Sequence, residues 1–152
     1  GTSFYLTILR CLIKRLNQNI YNMKFEHFAL NVAQPLQMAD WYVTHLGLSI
    51  VKKMEEPPYM IFMADDSGTI MLEIYSNPKA AVLDYREFHP LTVHLAFVSD
   101  RPTEDKDRLL RAGATLFSDE FLEDGSHLIM LRDPWGLAVQ LCKRAVPMLR
   151  SV

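Results

Sequence analysis

The stretch Phe25-Glu26-His27-Phe28-Ala29-Leu30-Asn31-Val32 decides the reading of this chain, because a version of it returns as Thr92-Val93-His94-Leu95-Ala96-Phe97-Val98, 67 residues later. Each copy carries a histidine with an alanine two places on. The same offset carries Met71-Leu72-Glu73-Ile74-Tyr75 onto Ala138-Val139-Gln140-Leu141-Cys142, and Asp66 onto Asp133. The chain is therefore an internal duplication. Each copy sets a histidine on its first strand and, 46 residues later, an acid or amide on its last.

Working outward, each copy predicts the order βαβββ. In the first, residues 24–76, Pro35 opens a helix that runs to about Leu46 and stops at Gly47. Three strands follow near Leu48–Met54, Tyr59–Ala64 and Thr69–Ser76, divided by turn-forming Glu55-Glu56-Pro57-Pro58 and Asp65-Asp66-Ser67-Gly68. Residues 77–90 have no counterpart and form a linker. The second copy, residues 91–143, predicts a strand Leu91–Val98, a helix from about Thr103 to Ala112, and strands near Thr115–Phe121, His127–Arg132 and Leu137–Lys143. Asp124-Gly125 and Asp133-Pro134-Trp135-Gly136 supply its turns. Residues 144–152 are a tail without a signal.

Residues 1–22 differ. Tyr5, Leu9, Leu12, Leu16 and Ile20 recur at helical spacing, which predicts an amphipathic N-terminal helical extension. Arg10 interrupts its apolar run, so no membrane span is expected, and Met23 is a candidate natural start.

The 152 residues are 49% hydrophobic and 22% charged, a mixture that can bury a core. The net charge of −2 hides a split: Arg10, Lys14 and Arg15 face no acid in the extension, which leaves the body at −5. An acidic body without a basic stripe argues against nucleic acid as a partner. Cys11 and Cys142 match neither a disulfide framework nor a zinc spacing, so a cytoplasmic setting is expected.

Strand alternation then assigns faces. Phe28, Leu30, Leu72, Ile74, Leu95, Phe97, Val139 and Leu141 share the faces that suit packing under the helices. The opposite faces carry His27, Glu73, His94 and Gln140 together with Ala29, Asn31, Met71, Tyr75, Ala96, Ala138 and Cys142. Three alanines beside polar groups leave space, as a small-molecule cavity requires. Two imidazoles, a carboxylate and an amide oxygen suit a divalent transition metal. A lone histidine or glutamate in a strand is usually structural or solvent-facing. Here the two pairs fall at equivalent positions, and that favours a shared site. His45, His89 and His127 have ordinary structural readings, and Met54, Met60, Phe62, Met63, Phe121 and Trp135 are candidates for an apolar wall.

The paired βαβββ units, the strand His-Phe-Ala-Leu-Asn-Val and the ending Asp-Pro-Trp-Gly-Leu-Ala-Val-Gln resemble the vicinal oxygen chelate superfamily, the glyoxalase, bleomycin resistance and extradiol dioxygenase group. The resemblance spans about residues 24–143. It implies an α+β fold whose two modules form a cup-shaped mixed sheet, paired within one chain or exchanged between two in a homodimer. It also implies metal ligands at His27, Glu73, His94 and Gln140, holding nickel, zinc, cobalt, manganese or iron. Gln140 stands where bacterial glyoxalase I enzymes have a glutamate. An amide oxygen can ligate but cannot accept a proton, so Glu73 is the catalytic candidate. The implied activity is a metal-dependent lyase or isomerase acting on two adjacent substrate oxygens. The alternative is a non-catalytic binder of antibiotics or other small molecules, and the third choice an extradiol dioxygenase.

Overall fold

The structure is a computed structural model that describes residues 23–149, so the helix expected over residues 1–22 lies outside the described residues. The first module runs β1 (His27–Asn31), α1 (Pro35–Leu46), β2 (Ser49–Lys53), β3 (Ile61–Ala64) and β4 (Met71–Tyr75). The second runs β5 (His94–Val98), α2 (Pro102–Arg111), β6 (Thr115–Phe121), β7 (His127–Arg132) and β8 (Ala138–Lys143). Each makes a four-stranded mixed sheet, in the orders β1-β4-β3-β2 and β5-β8-β7-β6. First and last strands lie parallel because a helix carries the chain between the first strand and the rest of its sheet. This is the α+β, two-module architecture that the repeat implies.

Local chemistry explains the boundaries. Pro35 and Pro102 sit in the first turns of the helices, where their missing N–H leaves no bond unmade. Gly47 ends α1 in the left-handed region at φ 73°, with its N–H on the Tyr42 carbonyl. The fifth strand starts at His94 rather than Leu91, because a turn in which Thr92 N–H donates to His89 O (2.8 Å) occupies the residues before it. The linker contains one 3₁₀ turn, Tyr85–Glu87, started by the Asp84 side chain accepting from Arg86 N–H. The described part of the tail, residues 144–149, has no regular element.

The turns revise one detail of the repeat. Asp133 accepts from the backbone N–H groups of Trp135 and Leu137, and its own carbonyl accepts from Gly136. In the first module it is Asp65, not Asp66, that accepts from Ser67 N–H and Gly68 N–H in the same way. One extra residue between β3 and β4 displaces the equivalence there.

The core faces of both sheets meet around α1. Met38, Ala39 and Tyr42 of α1 pack with Leu30, Ile61, Met63 and Ile74 of the first module and with Leu137 and Val139 of the second. Trp41 and Leu46 also pack against the cluster of Leu109, Ile129, Leu131 and Leu141 under α2. Hydrogen bonds fasten this junction: Trp41 Nε1–H to Ala112 O (2.8 Å), Trp135 Nε1–H to Gln34 Oε1 (2.8 Å), and Arg108 to His45 O (2.6 Å). Met63 and Trp135 thus belong to the core and the junction, not to a cavity wall on the polar face.

Candidate functional site

Pairing registers set the polar face of the first module. His27 lies opposite Met71, and Ala29 opposite Glu73, with Phe62 beyond Glu73 on β3. His27 Nε2 approaches Glu73 Oε2 to 3.2 Å, and His27 Nδ1 lies 2.6 Å from Glu26 Oε2. The Phe62 ring meets the imidazole edge to face at 5.5 Å between centroids. Glu73 is buried, whereas the His27 side chain keeps 35% of its exposure. A carboxylate at that depth needs a positive or hydrogen-bonding partner, and His27 is beside it.

In the second module His94 pairs with Ala138, and Gln140 lies between Ala96 and Met130. The His94 ring holds Pro90 O through Nδ1 at 2.9 Å. Gln140 Oε1 accepts from the Cys142 thiol at 3.4 Å. Burial pushes that thiol up from its ordinary value, partly offset by the Arg144 charge, so it stays protonated and donating at neutral pH.

The first module therefore brings an imidazole and a carboxylate together, and the second sets His94 and Gln140 at the equivalent register positions. Among the described residues no group of three or more His, Cys, Asp or Glu converges in the single chain. The donor set nonetheless suits a divalent cation. Two donors each about 2.1 Å from one ion and subtending roughly 100° lie as far apart as His27 Nε2 and Glu73 Oε2.

The other cavity candidates divide. Asn31 is fully engaged: its amide donates to Asn77 O, Ala80 O and Ala81 O at 2.9–3.2 Å, and its oxygen accepts from Asn77 N–H at 2.7 Å. It clamps the linker. Tyr75 pairs with it and is half-buried. Ala138 and Cys142 are buried in β8 beside Gln140. Met71 and Ala96 help line a groove of about 590 Å³ at the junction, with Phe28, Leu72, Leu95 and Phe97, and none of the four polar candidates reaches it.

The remaining histidines have structural partners. His45 packs on Trp41 in the last turn of α1, and His89 Nδ1 accepts from Leu91 N–H. His127 is buried, bonded through Nε2 to Asp119 Oδ1 at 2.6 Å and stacked on Phe121 at 3.9 Å. Sequence reasoning passed over Glu26 and Pro90, which hold the two candidate histidines. Only adjacency to His27 could have pointed to Glu26.

A family model described as Glyoxalase/Bleomycin resistance protein/Dioxygenase superfamily matches residues 24–141. No curated protein matches the chain. Among solved structures, TnmS3, an antibiotic binding protein from Streptomyces sp. CB03234, superposes with a TM-score of 0.63 at 16% identity, over 82% of this chain and 98% of that one. Lactoylglutathione lyase from Agrobacterium tumefaciens gives 0.59 at 21% identity, over 80% and 93%. A glyoxalase-related enzyme from Fulvimarina pelagi gives 0.60 at 18% identity, over 80% and 88%. With a family model that spans most of the sequence, and two βαβββ modules as its fold, the chain belongs to the Glyoxalase/Bleomycin resistance protein/Dioxygenase superfamily.

Proposed function

We propose that this chain is a metal-dependent lyase or isomerase of glyoxalase type, acting on a small substrate through two adjacent oxygens. The approach of His27 Nε2 to the buried Glu73 carboxylate carries the reading, reinforced by a second imidazole and oxygen donor at the repeat-equivalent positions His94 and Gln140. A bound divalent metal would polarise the substrate oxygens as a Lewis acid. The chain's own contribution is to hold the donors and to move a proton. Glu73 is the acid–base candidate, since Gln140 has no ionisable group.

The arrangement favours a homodimer with exchanged modules. The core faces meet around α1, so the faces carrying the two donor pairs both turn outward. β1 and β5 lie at sheet edges, and Val98 on β5 is 86% exposed. A second copy set against these edges would cover them and bring His27 and Glu73 of one chain toward His94 and Gln140 of the other.

A second reading is an antibiotic-type binder without chemistry. The engagement of Gln140 Oε1 by the Cys142 thiol favours it, because that bond takes one of the two lone pairs of the fourth donor. The TnmS3 likeness points the same way.

One experiment separates them. Metal content of the purified chain, followed by hemithioacetal isomerisation assays with added nickel, zinc and manganese, should show bound metal and turnover, both lost in His27→Ala. Unaltered metal content in His27→Ala would sink the first reading. Stoichiometric metal without turnover on any hemithioacetal would leave the binder.

A further inference from the structure

Residues 1–22 stand apart from the duplication, and they hold Arg10, Lys14 and Arg15 with no acid. Read as a helix at about 100° per residue, Tyr5, Leu9, Leu12, Leu16 and Ile20 fall in one stripe, which Ile8 and Ile13 widen on either side. Arg10 and Arg15 flank that stripe, one on each side, and Cys11 falls away from it. An apolar face this broad needs a surface to pack against, because a lone helix of this length is marginal in water.

The two modules present such a surface. The groove of about 590 Å³ at their junction is lined by Phe28, Leu72, Leu95 and Phe97, and its charged lining, among the described residues, is Asp65 and Asp66. Asp65 turns back on Ser67, while Asp66 is exposed. The folded modules leave Phe28 and Ile70 of this groove 41% and 39% exposed. Apolar side chains gathered in one open groove mark a binding surface.

We propose that residues 5–20 dock in this groove of their own chain as an amphipathic helix, with the apolar stripe against Phe28, Leu72, Leu95 and Phe97 and the basic flanks beside Asp65 and Asp66. Charge favours this occupant, because a wholly basic segment meets a groove whose charged lining is acidic. A second copy presenting the same groove would set its own Asp65 and Asp66 against these. Reach favours it too. Residues 21–27 separate the stripe from Phe28, a tether of at most about 28 Å fully extended, and so short a link holds the segment at a local concentration on the order of millimolar. None of His27, Glu73, His94 and Gln140 lines the groove, so the proposal is independent of the metal reading.

A nitroxide on Cys11 of the full chain, in a Cys142→Ala background, tests this by methyl NMR. Labelling should remove the signals of Ile70, Leu72 and Leu95, while Leu116 on β6, at the far edge of the second sheet, keeps its own and reports that the fold is intact. Leu9→Asp combined with Leu16→Asp should bring the groove signals back. Asp66→Lys should bring them back in part, and adding Arg10→Glu and Arg15→Glu to it should remove them again. Groove signals that survive labelling in the parent, or that are lost equally in the Leu9→Asp, Leu16→Asp variant, would overturn the proposal. An isotope-labelled chain without nitroxide, refolded with nitroxide-bearing chains, should keep its groove signals. Their loss there would make the extension of a second copy the occupant and overturn docking within the chain.

Discussion

The hydroxyl of Tyr42 donates a 2.7 Å hydrogen bond to Asp133 Oδ2 at the junction of the two modules, where both residues are buried. Burial pushes the Asp133 carboxyl up from its ordinary value, and the bonds from Tyr42, Leu137 and Trp135 pull it partly back. Burial, followed by the neighbouring Asp133 charge, drives the Tyr42 hydroxyl well above its usual value, so it remains a donor. Removing the hydroxyl leaves a buried carboxylate short of a partner.

Tyr42→Phe should therefore cost about 1–3 kcal/mol in urea unfolding at neutral pH. An acid whose folded pKa is raised has its full stability below the unfolded value of 3.8 and loses it as pH rises through the folded value. Without the tyrosine that folded value rises further. The difference between variant and parent should thus be larger at pH 7 than at pH 3, and an equal difference at both would contradict this account.

The opposite sign holds at the edge of the second sheet. Asp119 takes hydrogen bonds from Lys106 at 2.7 Å and His127 at 2.6 Å, and these hold its carboxyl below 3.8. For Asp105, burial pushes upward, but bonds from Ser99 and Arg108 outweigh it and the net shift is downward. Depressed carboxyls contribute stability above the unfolded value and lose it as pH falls through the folded one. Thermal melts from pH 5 to pH 2 should show the parent losing stability below about 3.8. Asp119→Asn should lose less across the same range.

Asn31 offers a test by replacing a hydrogen-bond donor with an acceptor. Its amide points at three carbonyl oxygens, so Asn31→Asp would set a carboxylate against them. A melting temperature lower than that of Asn31→Ala is expected, with a penalty of about 1–3 kcal/mol beyond it. Hydrogen exchange should quicken at Asn77, whose N–H bonds the Asn31 oxygen.

Exchanged modules make a prediction about mixtures. A chain with His27→Ala and Glu73→Ala, and another with His94→Ala and Gln140→Ala, should each bind metal weakly. Denatured and refolded together they should regain one intact site per mixed dimer, near a quarter of parental capacity for a random mixture. Metal binding in the mixture equal to the average of the two variants would show that no site is shared between chains.

Much of this was legible in the chain because duplication makes each half a check on the other. The 67-residue offset matched His27 with His94 and Glu73 with Gln140, and strand alternation put each pair on one face. The slip between Asp66 and Asp65 was hidden because identical neighbouring residues conceal a one-residue insertion. Period-two alternation could not reveal Glu26, because it points neighbouring side chains apart, whereas Glu26 precedes β1 and its carboxylate turns back to His27. Asn31 looked like cavity lining because its face was right, while its four bonds depend on where a linker without repeat signal happens to fold. Met63 and Trp135 were ambiguous since apolar residues suit a wall and a core equally.

α1 serves two sheets, and that ties their fates together. A helix whose Tyr42 and Met38 are shielded by both modules cannot be fully sheltered by either, so neither half of the duplication is complete alone. What began as two equivalent units has become one cooperative folding unit, in which melting one sheet uncovers the helix that supports the other.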